Sequence, residues 1–337
     1  MIAVDIFSGC GGLSLGFMKG GINVVAAYDK WDAAVKVYEH NFDHPVYKAD
    51  LSDVVACSSH ISEYHPDMII GGPPCQDFSS AGLRNEDNGR GDLTVSYASI
   101  IATVKPKWFV MENVATITKT KKLAQAKAIF KEAGYGLTEM VLNASLCGVP
   151  QKRKRFFLIG HQGSEDGFIF SFIQSRLADK EMTIKDYFGD KINIEFYYRH
   201  PRSYARRGIF SVNEPSPTIR GVNRPVPKGY NLHPNDPVKS LEGIRPLTFK
   251  ERSMIQTFPE NFVFLGSKSE IEQMVGNAVP VNLASFVAKS ILDYAEGKGL
   301  FSSSTKESMS NEYHRPVIPY SYTPDSLEGR LISEPEL

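Results

Sequence analysis

Apolar residues in the first 160 positions fall into short, nearly unbroken runs, separated by stretches with helical spacing. The runs Ala3–Phe7, Asn23–Tyr28, Val46–Lys48, Asp67–Ile70, Lys107–Met111 and Arg155–Gly160 predict strands. They are continuous rather than alternating, as strands covered on both faces require. Between them, Leu13–Lys19, Trp31–Asn41, Thr94–Val104 and Lys122–Ala133 predict helices. This alternation predicts an α/β fold with a doubly wound, mostly parallel, Rossmann-like sheet.

After about Asp186 the texture changes. Pro201, Pro215, Pro217, Pro225, Pro227, Pro234 and Pro237 punctuate the chain, and the periodicity fades. A smaller, loop-rich domain is expected there. Helical pattern returns at Pro246–Phe258 and, amphipathically, at Asn282–Tyr294. Past Gly297 the chain turns rich in Ser, Pro and Glu, with 3 basic and 6 acidic residues from Ser302 on. A flexible tail is expected. The expected partition is 1–185 with 272–296, then 186–271, then a polar tail over 297–337. No internal repeat is evident.

Composition narrows the class. Of 337 residues, 42% are hydrophobic and 23% charged, which excludes a disordered or collagen-like chain. Nothing approaches 18 consecutive apolar residues, so no membrane span is expected. Met1-Ile2-Ala3-Val4-Asp5 lacks the basic start of a signal peptide. Cys10, Cys57, Cys75 and Cys147 are scattered with no CxxC pair. Reduced thiols, a cytoplasmic setting and no metal site are expected.

Basic and acidic residues balance at 38 each, but unevenly along the chain. From Gln151 to Tyr230, 15 Lys and Arg face 8 Asp and Glu. From Arg199 to Lys228 there are seven basic residues against Glu214 alone, mixed with Tyr204 and Phe210. On charge alone, a solvated basic face and a nucleic-acid footprint are balanced readings.

Three strand ends carry chemistry. The first strand runs into Asp5-Ile6-Phe7-Ser8-Gly9-Cys10-Gly11-Gly12, a glycine-rich turn that lets backbone approach a ligand. Asp29 ends the second strand, where an acid can bind ribose hydroxyls, and Asp50 follows the third. Together they point to a nucleoside-containing cofactor, without choosing between NAD and S-adenosylmethionine. The fourth strand ends in Gly71-Gly72-Pro73-Pro74-Cys75-Gln76, a rigid scaffold for a cysteine nucleophile. The other three cysteines read as buried and inert. The fifth ends in Met111-Glu112-Asn113-Val114, where Glu112 suits a buried acid with a raised pKa. In Gln151-Lys152-Arg153-Lys154-Arg155, alternation puts Gln151, Arg153 and Arg155 on one face. Arginines beside a cysteine favour its thiolate and bind anions; the plainer reading is a basic edge strand.

These motifs resemble those of the DNA (cytosine-5) methyltransferase family. Gly72-Pro73-Pro74-Cys75-Gln76, Glu112-Asn113-Val114 and Gln151-x-Arg153-x-Arg155 resemble its catalytic motifs. Asp5 to Gly12 resembles its first cofactor motif. Arg245-Pro246-Leu247-Thr248-x-x-Glu251-Arg252 with Thr257-Phe258-Pro259, and Gln273-x-x-Gly276-Asn277-Ala278-Val279-Pro280, resemble its last motifs. Order and spacing match from about Met1 to Tyr294.

The resemblance implies the S-adenosylmethionine methyltransferase fold, with S-adenosyl-L-methionine as cofactor and S-adenosyl-L-homocysteine as product. Cys75 would add to carbon 6 of a flipped-out cytosine, and carbon 5 would take the methyl group. Glu112 would hydrogen-bond N3 and the exocyclic amine, Arg155 the ring carbonyl, and Arg153 would support the thiolate. Phe7, Gly9, Gly11, Gly12, Asp29, Asp50, Leu51, Pro73, Leu93 and Asn277 would line the cofactor pocket. Asn277 is so distant in sequence that the last helix should return to the catalytic domain. The family commonly has Glu followed by an aromatic at the ribose position; here Asp29 is followed by Lys30, with Trp31 one place late.

Residues 186–271 stand where the family keeps its target-recognition domain, so the partner is double-stranded DNA. Gln76, Ser79, Arg84, Arg90, Arg206, Arg207, Arg220, Asn223 and Arg224 are the candidate DNA contacts. The loop from Asp77 to Asp92 is the candidate lid. The resemblance further implies a monomeric modification or orphan methylase of prokaryotic, viral or plasmid origin. A cognate restriction endonuclease could share its system without touching it. The rivals are a tRNA cytosine-5 methyltransferase, whose Cys-Phe-Thr signature is absent here, and a non-catalytic DNA-binding module. An amino-methylating enzyme would need an Asp/Asn/Ser-Pro-Pro-Tyr/Phe motif, and a nicotinamide oxidoreductase leaves Cys75 and Glu112 without use.

Overall fold

The computed structural model describes residues 1–74, 93–203 and 205–298. Its centre is a seven-stranded sheet. The strands are β1 (Ile2–Ile6), β2 (Asn23–Asp29), β3 (Val46–Lys48), β4 (Met68–Gly71), β5 (Trp108–Val114), β6 (Tyr135–Asn143) and β8 (Lys154–Gln162). β7 (Gln151–Lys152) precedes β8 outside this sheet. The order is β3-β2-β1-β4-β5-β8-β6. The first five strands pair in parallel, whereas β8 runs antiparallel to both β5 and β6.

Helices cover both faces. On one side lie α1 (Gly12–Lys19), α6 (Phe170–Ser175) and α10 (Val281–Ala295), burying Phe17, Ile173, Phe286 and Val287 against Val110 and Phe157. On the other lie α3 (Val54–Ser62), α4 (Leu93–Val104) and α5 (Lys121–Glu132), burying Ile61, Ile100 and Phe130 against Val4, Ile69 and Phe109. The two-sided cover explains the unbroken apolar runs. α2 (Asp32–Asn41) follows β2 and packs Val37 and Tyr38 inward.

The last helix does return. A Cβ at Gly16 of α1 would lie 2.3 Å from Ala284 Cβ, so only glycine allows this approach of α1 and α10. Lys268–Ala295 is long and apolar enough to cross a bilayer, but 78% of its most apolar window is buried inside the protein. It is broken after α9 (Lys268–Asn277) and reads as core.

The proline-rich part holds short elements: α7 (Ile184–Phe188), β9 (Phe196–Tyr198), β10 (Ile209–Ser211), β11 (Ser216–Pro217) and α8 (Phe249–Ile255). β9 and β10 form an antiparallel pair. Ile184, Tyr197, Phe210, Ile219, Leu247, Ile255 and Val275 form a separate small core. The helical pattern over Pro246–Phe258 yields a shorter helix. Thr248 starts α8 with a capping box to Glu251, and Thr257 at φ 62 follows its end. Ser267 and Glu270 cap α9 in the same way.

Candidate active site

The strand order reverses between β1 and β4, so their carboxyl ends open a crevice. The turn from Phe7 to Gly12 leaves β1, Gly72-Pro73-Pro74 leaves β4, and Glu112 lies near the end of β5.

Glu112 and Arg155 meet there. Glu112 faces Phe157 across the antiparallel ladder, and Arg155, two residues earlier, shares that face. The Arg155 Nε lies 2.9 Å from Glu112 Oε1, with both side chains largely buried. Burial pushes the Glu112 carboxyl above the usual range, while Arg155 and Arg153 oppose the shift. A carboxyl held so can keep a proton and give it to a bound base. Gly72 passes close over it: a Cβ there would sit 3.2 Å from Glu112 Oε2. Asn113, next along, donates its amide to the Pro73 carbonyl at 2.8 Å. This hook fixes the start of the loop that carries Cys75. It belonged to the Glu112-Asn113-Val114 motif, but sequence reasoning assigned it no task. Cys75, Gln76, Ser79, Arg84, Arg90 and the expected lid from Asp77 to Asp92 lie outside the described residues.

Arg153 sits in a cage of backbone carbonyls. Its guanidinium is fully buried, with Nη1 on the Ile219 carbonyl and Nη2 on those of Gly276 and Ala278, each at 3.0 Å. Both terminal nitrogens are thus engaged by backbone carbonyls, and Nε lacks a partner among the described residues.

The expected cofactor residues separate by environment. Gly9, at φ 55, has nothing within 4 Å of where a Cβ would lie. The neighbouring Ser8 hydroxyl is buried without a partner. Asp29 accepts from the Gly9 and Trp31 N–H groups, each at 2.7 Å, and burial raises its pKa. Phe7 precedes them at φ 61. These residues shape a lined, open turn. Gly11 and Gly12 serve packing instead: a Cβ on Gly11 would strike Phe42 at 2.4 Å, and one on Gly12 the Val279 carbonyl at 2.5 Å. That second contact seats the segment after Asn277 on the turn. Leu51 and Pro73 are buried, Leu93 is half-buried at the start of α4, and Asn277 is exposed at the end of α9. Asp50 turns to Lys30 and Ser52, and the Lys30 hydrogen bond leads in pulling its carboxyl down to about 2. Trp31 is partly buried against Cys10, Val37 and Phe258. A surface groove of about 570 Å³ is lined by Trp31 with Lys36, His40 and Glu270, and by none of the other expected cofactor residues. Cys10, Cys57 and Cys147 are buried and free, and burial pushes Cys10 up to about 12.

The basic region also divides. Arg206 and Arg224 are exposed. Arg207 instead pairs with Glu214 and lies over the Phe210 ring, 4.3 Å from its centroid. Asn223 holds the Leu247 carbonyl at 2.8 Å, and Arg220 donates to the His200 carbonyl. Arg207 and Asn223 are therefore less available to DNA than their sequence implied. Arg199, which sequence reasoning passed over as a contact, joins Arg220 at a small cleft beside His200. Burial leads in lowering the pKa of both; Arg220 adds to the shift of Arg199, and Arg202 and Arg224 add to that of Arg220.

Type II methyltransferase M.HindV of Haemophilus influenzae is 56% identical over 87% of this chain and 97% of its own. M.HgiDI of Herpetosiphon aurantiacus is 53% identical over 87% and 95%. In fold, the chain resembles an Escherichia coli prophage-encoded putative DNA modification methyltransferase. The TM-score is 0.64 and the identity 21%, covering 88% of this chain and 99% of that one. Residues 1–293 match the family described as C-5 cytosine-specific DNA methylase. The chain belongs to that family of DNA cytosine-5 methyltransferases.

Proposed function

We propose that Cys75, Glu112 and Arg155 methylate a cytosine flipped out of double-stranded DNA, as the modification enzyme of a Type II system. The observation that carries this reading is the convergence of the Glu112–Arg155 pair and the Asn113–Pro73 hook, whose proline lies two residues before Cys75 in sequence. Cys75, as thiolate, adds to carbon 6 of the ring; once carbon 5 has taken the methyl group, loss of the carbon 5 proton breaks the Cys75–carbon 6 bond and restores the ring double bond. Glu112, whose carboxyl burial pushes towards the protonated form, donates to N3 as electron density moves into the ring, and its other oxygen accepts from the exocyclic amine. Arg155 orients Glu112 and reaches the ring carbonyl. Arg153 acts through its neighbours rather than on the base.

S-adenosyl-L-methionine supplies the methyl group when bound. The open space at Gly9, the unpartnered Ser8 hydroxyl and the Asp29 carboxylate fit its ribose end. Each Asp29 oxygen keeps a lone pair for a hydroxyl. Asp50, salt-bridged to Lys30, is the weaker candidate for this task. Residues 186–271 read the DNA, with Arg206, Arg220 and Arg224 toward phosphates and base edges. The chain works as a monomer in the cytoplasm, and a cognate endonuclease would cut what it leaves unmodified.

Transfer of labelled methyl groups to unmethylated plasmid tests the roles. Arg155→Met should lower kcat by about a hundredfold or more, with cofactor affinity unchanged. Wild-type rates in Arg155→Met would remove Arg155 from the site.

A further inference from the structure

Both backbone polar groups of Ile219 are bound by side chains of the segment that leads into β8, the strand that carries Arg155. Its N–H donates to Gln151 Oε1 at 2.8 Å, and its carbonyl accepts from Arg153 Nη1 at 3.0 Å. The attachment continues on either side. Ser216 and Pro217 pair in parallel with Gln151 and Lys152, and Thr218 Oγ1 donates to the Lys152 carbonyl at 2.8 Å. Arg252, paired with Glu272, donates to the Arg220 carbonyl. The end of α9 closes the third side. A Cβ on Gly276 would lie 2.1 Å from the Gly221 nitrogen, and Arg153 binds the Gly276 carbonyl as well. Gln151 passes the hold on, through Gln256, to the Val275 and Ala278 carbonyls.

Two chemistries meet at this junction. Arg155, two residues past Arg153, pairs with Glu112. Arg220 directly follows Ile219, in a cluster with Arg199, Arg202 and Arg224. None of these four has an acidic partner among the described residues, so the cluster presents uncompensated positive charge that suits an anionic ligand. The peptide between the two chemistries cannot shift without stripping buried partners from its N–H and carbonyl, which is costly.

We propose that Gln151 and Arg153 are positioning residues that couple DNA recognition to methyl transfer by locking Ile219 between the arginine cluster and the Glu112–Arg155 pair. This rests on the proposed function. Correct seating of DNA on Arg220 and Arg224 fixes the register of Ile219, and through Gln151 and Arg153 that of Arg155. Imperfect seating strains the same peptide and misplaces Arg155.

The test compares wild type, Gln151→Ala, Arg153→Lys and Thr218→Val on unmethylated plasmid with S-adenosylmethionine. Bisulfite sequencing at short times gives the rate at the preferred site and at sites differing from it by one base pair. In Arg153→Lys and Gln151→Ala the ratio of these rates should fall by about tenfold, the order of one lost base-pair discrimination. The double variant should be no worse than either single one, because both side chains hold one residue. Thr218→Val removes a peripheral bond; it should keep the wild-type Tm and lose part of the ratio. It decides the matter if the buried variants do not fold. Equal loss of rate at every site, with the ratio unchanged, overturns the coupling and leaves a structural role only. No methylation by the wild type overturns the proposed function itself.

Discussion

Asn113 donates its side-chain amide to the carbonyl of Pro73 across 2.8 Å, inside the protein. The same strand end thus presents Glu112 to the crevice and, one residue on, grips the loop leading to Cys75. Asn113→Ala should let that loop drift. A misplacement of about 1 Å costs about a hundredfold in rate, so kcat should fall by about that factor. Cofactor and DNA affinities should hold. Equilibrium titrations beside single-turnover rates check this. A large loss of DNA affinity with kcat intact would put Asn113 in binding instead.

Glu112 should set the alkaline limb of the pH profile. Burial raises its carboxyl above the usual range, against the pull of Arg155. The protonated form is the donor, so kcat should fall as pH rises through the raised pKa. Glu112→Gln cannot titrate. It should lower kcat by about 10²–10⁴-fold and flatten that limb. A persistent alkaline limb in the variant would assign the titration elsewhere.

Asp5 should make stability depend on pH. It is fully buried under the cofactor turn, with Ser14 Oγ donating to Oδ2 at 2.5 Å and Oδ1 without a partner. Burial leads in pushing its carboxyl from 3.8 to about 8. The folded state therefore binds a proton that the unfolded state releases. The stability contributed at this site is complete below 3.8 and lost as pH rises toward 8, by about 1.4 kcal/mol per unit. Asp5→Asn has no charge to bury. Its Tm relative to wild type should climb steadily between pH 5 and pH 8, and a flat difference would contradict the assignment.

Gly16 should tolerate no side chain. The added Cβ of Gly16→Ala would meet Ala284 Cβ at 2.3 Å and the Val281 carbonyl at 2.5 Å. Overpacking of this kind destabilises by about 1–3 kcal/mol. Adding Ala284→Gly should recover only part, since the carbonyl contact remains. Denaturant unfolding of the two variants measures both effects.

The sheet was legible where burial wrote an apolar run, as at Lys107–Met111, which falls almost wholly within the buried β5. β6 was missed because Gly136, Thr138 and Glu139 break both alternation and continuity. α3 was missed because Val54, Val55 and three serines are poor helix formers; its clearest mark is Asp53, which caps the Ala56 N–H at 3.1 Å. α9 carries a mostly polar first half, and its start is marked by the Ser267–Glu270 capping box. At the site, the sequence marked the strand ends that carry Glu112 and Arg155, and the structure joins those two side chains. It could not show the role of Arg153, whose partners are backbone carbonyls from 66 to 125 positions away. A carbonyl leaves no trace in residue identity. The availability of Arg207 likewise depended on Glu214, a single acid whose reach only the fold reveals.

The most direct measurement is bisulfite sequencing of unmethylated duplex plasmid after incubation with the protein and S-adenosylmethionine, beside the Cys75→Ser variant. The account predicts protected cytosines confined to one short sequence, present with the wild type and absent with the variant. Protection that survives in Cys75→Ser, or none with either protein, would contradict it.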